Sequence, residues 1–250
     1  MNTIRKFVPL RVSPLSRLKS PAPVVCARSY FSYDHPTESP YSTSQSLILS
    51  SALKHVPTVG FTKDALVFGS RDQGMLDSTH AVFQNGVFDL IIYHLYTERT
   101  KLAALKEAVD SEEKTVEAKV RRYCIERLKG NISLNDHWTE ALAVMAVPTN
   151  VPTALKELAD LADEIWFLAG DLSTDFSWYN RRAMLAAVYS ATELYMTQDN
   201  SKEFVNTWDF LDRRLANADT LEKTLEGSST WMLFTGMASI NLLRSQLARG

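Results

Sequence analysis

The sequence lacks several of the motifs by which catalytic, cofactor and metal sites are recognised. Its two cysteines, Cys26 and Cys124, are too few for a disulfide framework or a cysteine-based metal cluster. None of the nine glycines forms a Gly-x-Gly pair, so no loop that cradles a phosphate or a dinucleotide is indicated. No histidine follows a glutamate by three residues, so the Glu-x-x-His motif of helical di-iron sites is absent. We therefore predict no catalytic residue, no metal site and no cofactor.

The sequence also lacks long hydrophobic runs, and the body of the chain, residues 34–250, is not basic. No apolar run approaches the roughly 20 residues that a membrane-spanning helix needs. Residues 34–250 carry 21 basic and 29 acidic side chains, a net charge of −8. Such a body is a poor binder of nucleic acid, because phosphate neutralisation requires lysine and arginine. We expect a protein that neither spans a membrane nor binds nucleic acid.

The amino-terminal segment has the opposite charge. Residues 1–33 contain six basic residues, several serines and no acidic residue. This composition is typical of a mitochondrial transit peptide, which we predict over 1–33 and follow with a linker over 34–44. A disordered basic arm that binds an anionic surface is the alternative. The position at the start of the chain favours targeting.

From about residue 45 onward, apolar residues recur with helical periodicity, and no strand or internal repeat is evident. We predict an all-α fold of about nine or ten helices. The expected elements include a short one over 75–83, a charged helix over 112–128 and a helix over 151–169. A further helix over 175–197 is apolar on most faces, which predicts a central, buried position.

Two apolar features suggest contact with lipid. The stretch 183–191, with Trp166, Phe167 and Met184 nearby, could line an apolar pocket between helices. Aromatic and methionine stripes are more often ordinary core, which is the alternative.

The second apolar feature is the uncharged segment 231–243, which is followed by Arg244 and Arg249. It suits a helix lying in a bilayer surface, or else a final core helix docked on the body. On the membrane interpretation the contacts come from four residues: Trp231, Phe234, Met237 and Leu242.

Residues 173–184, STDFSWYNRRAM, combine capping residues with aromatics and arginines. Amides at a helix start attract anions, and Arg181 or Arg182 could add bonds to phosphate. The alternative is an internal ion pair, for instance between an arginine and Asp175 or Asp163. Trp178 and Tyr179 are typical of an interface anchor, although both could also pack at a helix start.

Residues 170–189, together with 137–138, 148–152 and 207–211, resemble a known signature. It is that of the mitochondrial lipid-binding accessory proteins of ubiquinone biosynthesis, the ninth coenzyme Q complementation group. The resemblance covers about 45–249. It implies a TetR-repressor-like domain over 45–220, a C-terminal amphipathic helix over 221–250 and a homodimer. It also implies a peripheral position on the matrix side of the inner mitochondrial membrane.

The same resemblance implies a function without catalysis. Members bind isoprenoid quinone intermediates and phospholipid, and present the quinone to the di-iron demethoxyubiquinone hydroxylase. Two alternatives remain open: a ligand-responsive TetR-type DNA-binding regulator, and an enzyme modifying a quinone precursor ring. Residues 61–90, the supposed DNA-binding head, carry a net charge of −2, which disfavours the first.

The resemblance also assigns roles by position. Arg182 matches an arginine associated with a phospholipid headgroup. The implied partner-docking residues are five: Trp178, Tyr179, Asp163, Asp175 and Ile165, the last standing where some members have methionine.

Overall fold

The computed structural model describes residues 40–171 and 177–224; for residues 79, 80, 177, 178 and 219–224 it describes the backbone only. Over these residues the chain forms nine α-helices and no strand, which confirms the predicted all-α class. The helices are α1 (Thr43–Val59), α2 (Lys63–Asp72), α3 (Val87–Lys101), α4 (Lys106–Glu112), α5 (Val116–Lys129), α6 (Asn135–Met145), α7 (Val151–Ala169), α8 (Ser177–Met196) and α9 (Val205–Thr224). The TetR-like arrangement of these helices stays a prediction.

Local sequence sets several helix ends. Ser42 and Gln45 form a capping box at the start of α1, in which each side chain accepts the other residue's backbone N–H. Thr115 caps α5 by accepting the N–H of Ala118. Gly170 ends α7 in the left-handed region, with φ of 89°, where a residue without Cβ is favoured.

Helices α1, α2, α3 and α6 share one buried apolar cluster, which includes Leu49, Leu66 and Trp138. Gly69 permits the close approach of α2 to α1, because a Cβ there would lie 2.6 Å from the backbone nitrogen of Ala52. The element expected over 75–83 is a 3₁₀-helix, Asp77–Val82, rather than an α-helix.

The remaining helices, α4, α5, α7, α8 and α9, surround a second apolar cluster that includes Ile165, Leu185 and Leu211. Helix α8 packs on both α7 and α9, and Met184, Leu185 and Val188 are buried. The prediction of a central, buried helix from the apolar stretch 183–191 is therefore confirmed.

A buried polar network contains residues from α3, α5 and α8. Asn131 Oδ1 accepts from Arg127 and lies 2.9 Å from His94 Nε2, and Asn131 Nδ2 donates to Glu193 at 2.8 Å. Burial lowers the pKa of His94 to about 3, so its imidazole is neutral at physiological pH. The hydrogen bond to Asn131 assigns the ring proton to Nε2.

Cys124 is fully buried in the second cluster, and burial raises the pKa of its thiol to about 12. A buried thiol with a raised pKa is mostly protonated and therefore unreactive at physiological pH. None of the helices within the described residues combines the length and the apolar character needed to cross a membrane. The predicted transit peptide and the segment 231–243 lie outside the described residues.

Candidate lipid-binding and docking site around α7 and α8

A small, solvent-open groove with a cavity volume of about 40 Å³ lies between α5, α7, α8 and α9. Enclosed small-molecule sites typically occupy about 300–1,000 Å³ and have mostly apolar walls, so a ligand here would lie along an open groove rather than inside a closed pocket. The groove is lined by Glu117, Val120, Trp166, Arg181, Met184, Leu185, Val188, Leu215 and Ala218. Seven of these nine residues are apolar. Two of the predicted pocket residues, Trp166 and Met184, are therefore brought together.

Trp166 and Arg181 are fixed against each other at one part of the groove wall. The indole Nε1 of Trp166 donates to the backbone oxygen of Arg181 at 3.3 Å. The guanidinium carbon of Arg181 lies 5.8 Å from the centre of the Trp166 ring, within the range of a cation–π interaction. These contacts tie α8 to α7 and keep a positive charge beside an apolar surface.

Arg182 points elsewhere. Its Nε donates to Asp163 Oδ1 at 2.5 Å, and its Nη1 lies 3.4 Å from Asp171 Oδ2. The Asp171 carboxylate also accepts a hydrogen bond from Arg181 Nη1 at 3.2 Å, so this one carboxylate contacts both arginines. The Arg182 side chain is 10% exposed and does not line the groove. The internal ion pair with Asp163 is thus present, and a lipid phosphate at Arg182 would have to displace a carboxylate.

Phe167 does not line this groove, and its role as a lipid-binding residue stays a prediction. Its side chain is 40% exposed, and the Lys106 ammonium lies 5.9 Å from its ring centre. Consecutive residues on an α-helix point about 100° apart, and here Trp166 lines the groove while Phe167 faces outward.

The predicted docking residues are only partly on one surface. Tyr179 is 50% exposed, and the side chain of Asp163 is 26% exposed. Ile165 is fully buried in the core and has no surface for a partner protein, so its assignment as a docking contact is wrong. Of Trp178 only the backbone is described, and Asp175 lies outside the described residues, as do the predicted membrane contacts Trp231, Phe234, Met237 and Leu242.

The sequence did not indicate the groove residues contributed by α5 and α9. Val120 belongs to a recognisable apolar stripe of α5, but nothing local shows that it faces α8. Glu117, Leu215 and Ala218 have no sequence signal of a site at all. Within the part of the chain that the structure covers, no three His, Cys, Asp or Glu residues are placed to hold a metal ion.

Comparison with known proteins relates this site to a family. A family model described as COQ9 matches residues 151–222, which include α7, α8 and most of α9. "Ubiquinone biosynthesis protein coq9, mitochondrial" of Schizosaccharomyces pombe is 37% identical over 219 residues, covering 88% of this chain and 87% of that protein. The chain belongs to the COQ9 family. It is thus a mitochondrial protein of ubiquinone biosynthesis, which confirms the resemblance inferred from residues 170–189.

The vertebrate members are longer. The chain is 38% identical to Xenopus laevis "Ubiquinone biosynthesis protein COQ9-A, mitochondrial" over 71% of its own length and 58% of that protein. It is 34% identical to human "Ubiquinone biosynthesis protein COQ9, mitochondrial" over 75% of its own length and 62% of that protein. The chain therefore spans about three fifths of these two relatives. The names of these relatives state a biosynthetic role and no catalytic activity.

Proposed function

We propose that this member of the COQ9 family is a peripheral lipid-binding protein on the matrix side of the inner mitochondrial membrane. It holds isoprenoid quinone intermediates and presents them to the demethoxyubiquinone hydroxylase without catalysing a reaction itself. The groove between α5, α7, α8 and α9 carries this proposal. It is apolar on seven of nine lining residues, and three of its four helices lie in the segment that matches the family.

An isoprenoid tail suits these walls. Removing apolar surface from water contributes about 0.8 kcal/mol per buried CH₂ group, so a tail needs no hydrogen-bond partner along its length. Met184, Leu185 and Val188 lie on α8 at helical spacing and offer a continuous apolar strip. An unbranched, polarisable methionine adapts to an irregular ligand.

The presenting step would use the outer surface of α7 and α8. Tyr179 is half exposed and stands two residues before the groove residue Arg181. Tyrosines are enriched in protein interfaces because their rings bring large contact area and a polar tip. A hydroxylase docked on Tyr179, Trp178 and Asp163 would lie beside the groove. The segment 231–243 would hold the protein at the membrane surface, and two copies would associate as a homodimer.

The structure gives the regulator alternative no added support. Arg71, one of two basic residues in 61–90, donates two hydrogen bonds of 2.6 Å to the carboxylate of Asp77. The Arg71 guanidinium is therefore paired with a carboxylate of the same protein rather than with a DNA phosphate. Residues 61–90 also carry a net charge of −2, which disfavours binding to DNA phosphates.

The groove is tested by filling it. Ala218→Phe places a ring in the groove, whereas Ala216→Phe places the same ring two residues away on an exposed part of α9. We expect mass spectrometry of extracted lipids to find isoprenoid lipid with the unmodified full chain and with Ala216→Phe. The Ala218→Phe variant should retain at most about a tenth, equivalent to roughly 1.4 kcal/mol. Equal lipid in both variants, or none in any sample, contradicts the proposal.

The docking surface is tested separately. Tyr179→Ala should reduce co-purification of the demethoxyubiquinone hydroxylase while leaving bound lipid unchanged. Tyr195→Ala is the control, because Tyr195 is another exposed tyrosine of α8 and lies about 24 Å further along the helix axis. Unchanged hydroxylase binding by Tyr179→Ala, or equal loss in the control, would remove Tyr179 from the interface.

A further inference from the structure

We propose that the groove selects zwitterionic phospholipid by its headgroup, with Arg181 receiving the phosphate and Glu117 receiving the ammonium group. This inference rests on the proposed lipid-binding function and assigns a ligand class to the two charged residues of the groove. It also moves the phosphate contact from Arg182, where the resemblance placed it, to the neighbouring arginine.

The first observation is the pair of charges in the wall. Glu117 and Arg181 are the two charged residues among the nine that line the groove, and they come from different helices, α5 and α8. Glu117 is exposed and forms no ion pair or side-chain hydrogen bond with any residue that the structure describes. These two opposite charges thus line one apolar groove without forming an ion pair with each other.

The second observation is the setting of Arg181. Its side chain is 33% exposed, and it is anchored through Asp171 and over the Trp166 ring. A guanidinium carries five N–H donors, so it can contact a carboxylate and a phosphate together. Arg182 is less suited, because it is 10% exposed and is directed at Asp163.

The pattern of charges distinguishes between headgroups. A zwitterionic head, such as phosphatidylethanolamine, satisfies both residues, because its phosphate and its ammonium group are a few bonds apart. A phosphatidylglycerol head offers a phosphate to Arg181 but only neutral hydroxyl groups to Glu117, so no positive charge offsets the repulsion between the Glu117 carboxylate and the lipid phosphate. Exposed charge pairs contribute up to about 1 kcal/mol, so we expect roughly a three- to fivefold preference for the zwitterion.

The experiment measures lipid uptake from mixed vesicles. The full chain is incubated with vesicles of equal phosphatidylethanolamine and phosphatidylglycerol with identical acyl chains, vesicles are removed, and protein-bound lipid is quantified by mass spectrometry. We expect the unmodified chain to bind at least three times as much phosphatidylethanolamine as phosphatidylglycerol. Glu117→Gln should bring the ratio near one, and Glu117→Lys should invert it.

Matched variants control for a general charge effect. Glu107→Gln removes an exposed acidic residue from the first turn of α4, as Glu117→Gln does from the first turn of α5, and should keep the preference. Arg181→Gln should reduce both phospholipids together, whereas Arg213→Gln, an exposed arginine of α9, should not.

The outcomes separate this inference from the function on which it rests. Bound lipid in the input ratio, or a ratio that Glu117→Lys leaves unchanged, overturns the headgroup assignment. If isoprenoid lipid is still bound in that case, the proposed function stands without it. If the chain takes up neither phospholipid nor isoprenoid lipid, both are overturned.

Discussion

Replacing Arg182 by glutamine separates a structural arginine from a lipid-binding one. In the structure this side chain is 10% exposed and connects α8 to α7 through Asp163 at 2.5 Å and Asp171 at 3.4 Å. Removing one partner of a buried ion pair costs about 3–5 kcal/mol, because the remaining charge loses its compensation. The cost here falls at the lower end, because Asp163 is 26% exposed and Asp171 keeps its contact with Arg181.

We therefore expect Arg182→Gln to lower the free energy of unfolding by about 3 kcal/mol. For a domain of this size the melting temperature then falls by roughly 6–12 °C. Thermal unfolding followed by circular dichroism at pH 7 measures this shift. Arg181→Gln, whose side chain is more exposed, is the matched control and should cost less than about 1 kcal/mol.

A different result would assign Arg182 to lipid binding. If Arg182→Gln melts at the temperature of the unmodified chain and loses bound phospholipid, Arg182 is the headgroup residue that the resemblance implied. The ion pairs with Asp163 and Asp171 would then be exchangeable contacts, and the assignment of Arg181 to the phosphate would be wrong.

Further tests address the core. The buried Cys124 thiol, whose pKa is raised to about 12, should not react with a thiol reagent at pH 8 until denaturant is added, in a Cys26→Ser background; rapid labelling of the native protein would contradict its burial. Burial lowers the pKa of His94 in the folded protein to about 3. As the pH falls below 6.5, His94 therefore becomes protonated in the unfolded chain before it does in the folded protein. Between pH 6.5 and 4.5, urea unfolding should therefore show a loss of about 2–3 kcal/mol more for the unmodified chain than for His94→Gln; equal losses would show that His94 is not held neutral. Gly69→Ala should cost about 1–3 kcal/mol, because the new methyl meets the α1 backbone, and an unchanged melting temperature would refute that close contact.

The fold class could be predicted because its signals are local. The expected helix over 151–169 matches α7, where an apolar stripe runs up to the terminating Gly170. The boundary between α4 and α5 was missed. A charged helix was expected over 112–128, whereas α5 begins at Val116 because Thr115 caps it. The 3₁₀-helix Asp77–Val82 was likewise expected only as a short element, since apolar periodicity does not define such a turn.

The site could be predicted only in part, because the direction of a side chain depends on how its helix is rotated in the fold. Ile165, Trp166 and Phe167 are consecutive in α7, yet one is core, one lines the groove and one faces outward. Arg181 and Arg182 likewise differ by a single position of α8. A pattern of residue types shows that an aromatic and an arginine are present, but only the packing of α5, α7, α8 and α9 shows which of them meet.

The most direct test of lipid binding in this groove is photo-crosslinking with an isoprenoid quinone analogue that carries a diazirine in its tail. After incubation with the full chain and irradiation, the labelled peptides are identified by mass spectrometry. Labelling concentrated on Met184, Leu185, Val188 and Leu215 is the predicted result, with loss of labelling in Ala218→Phe. Labelling confined to α1, α2 and α3, or spread evenly over the chain, would contradict the account.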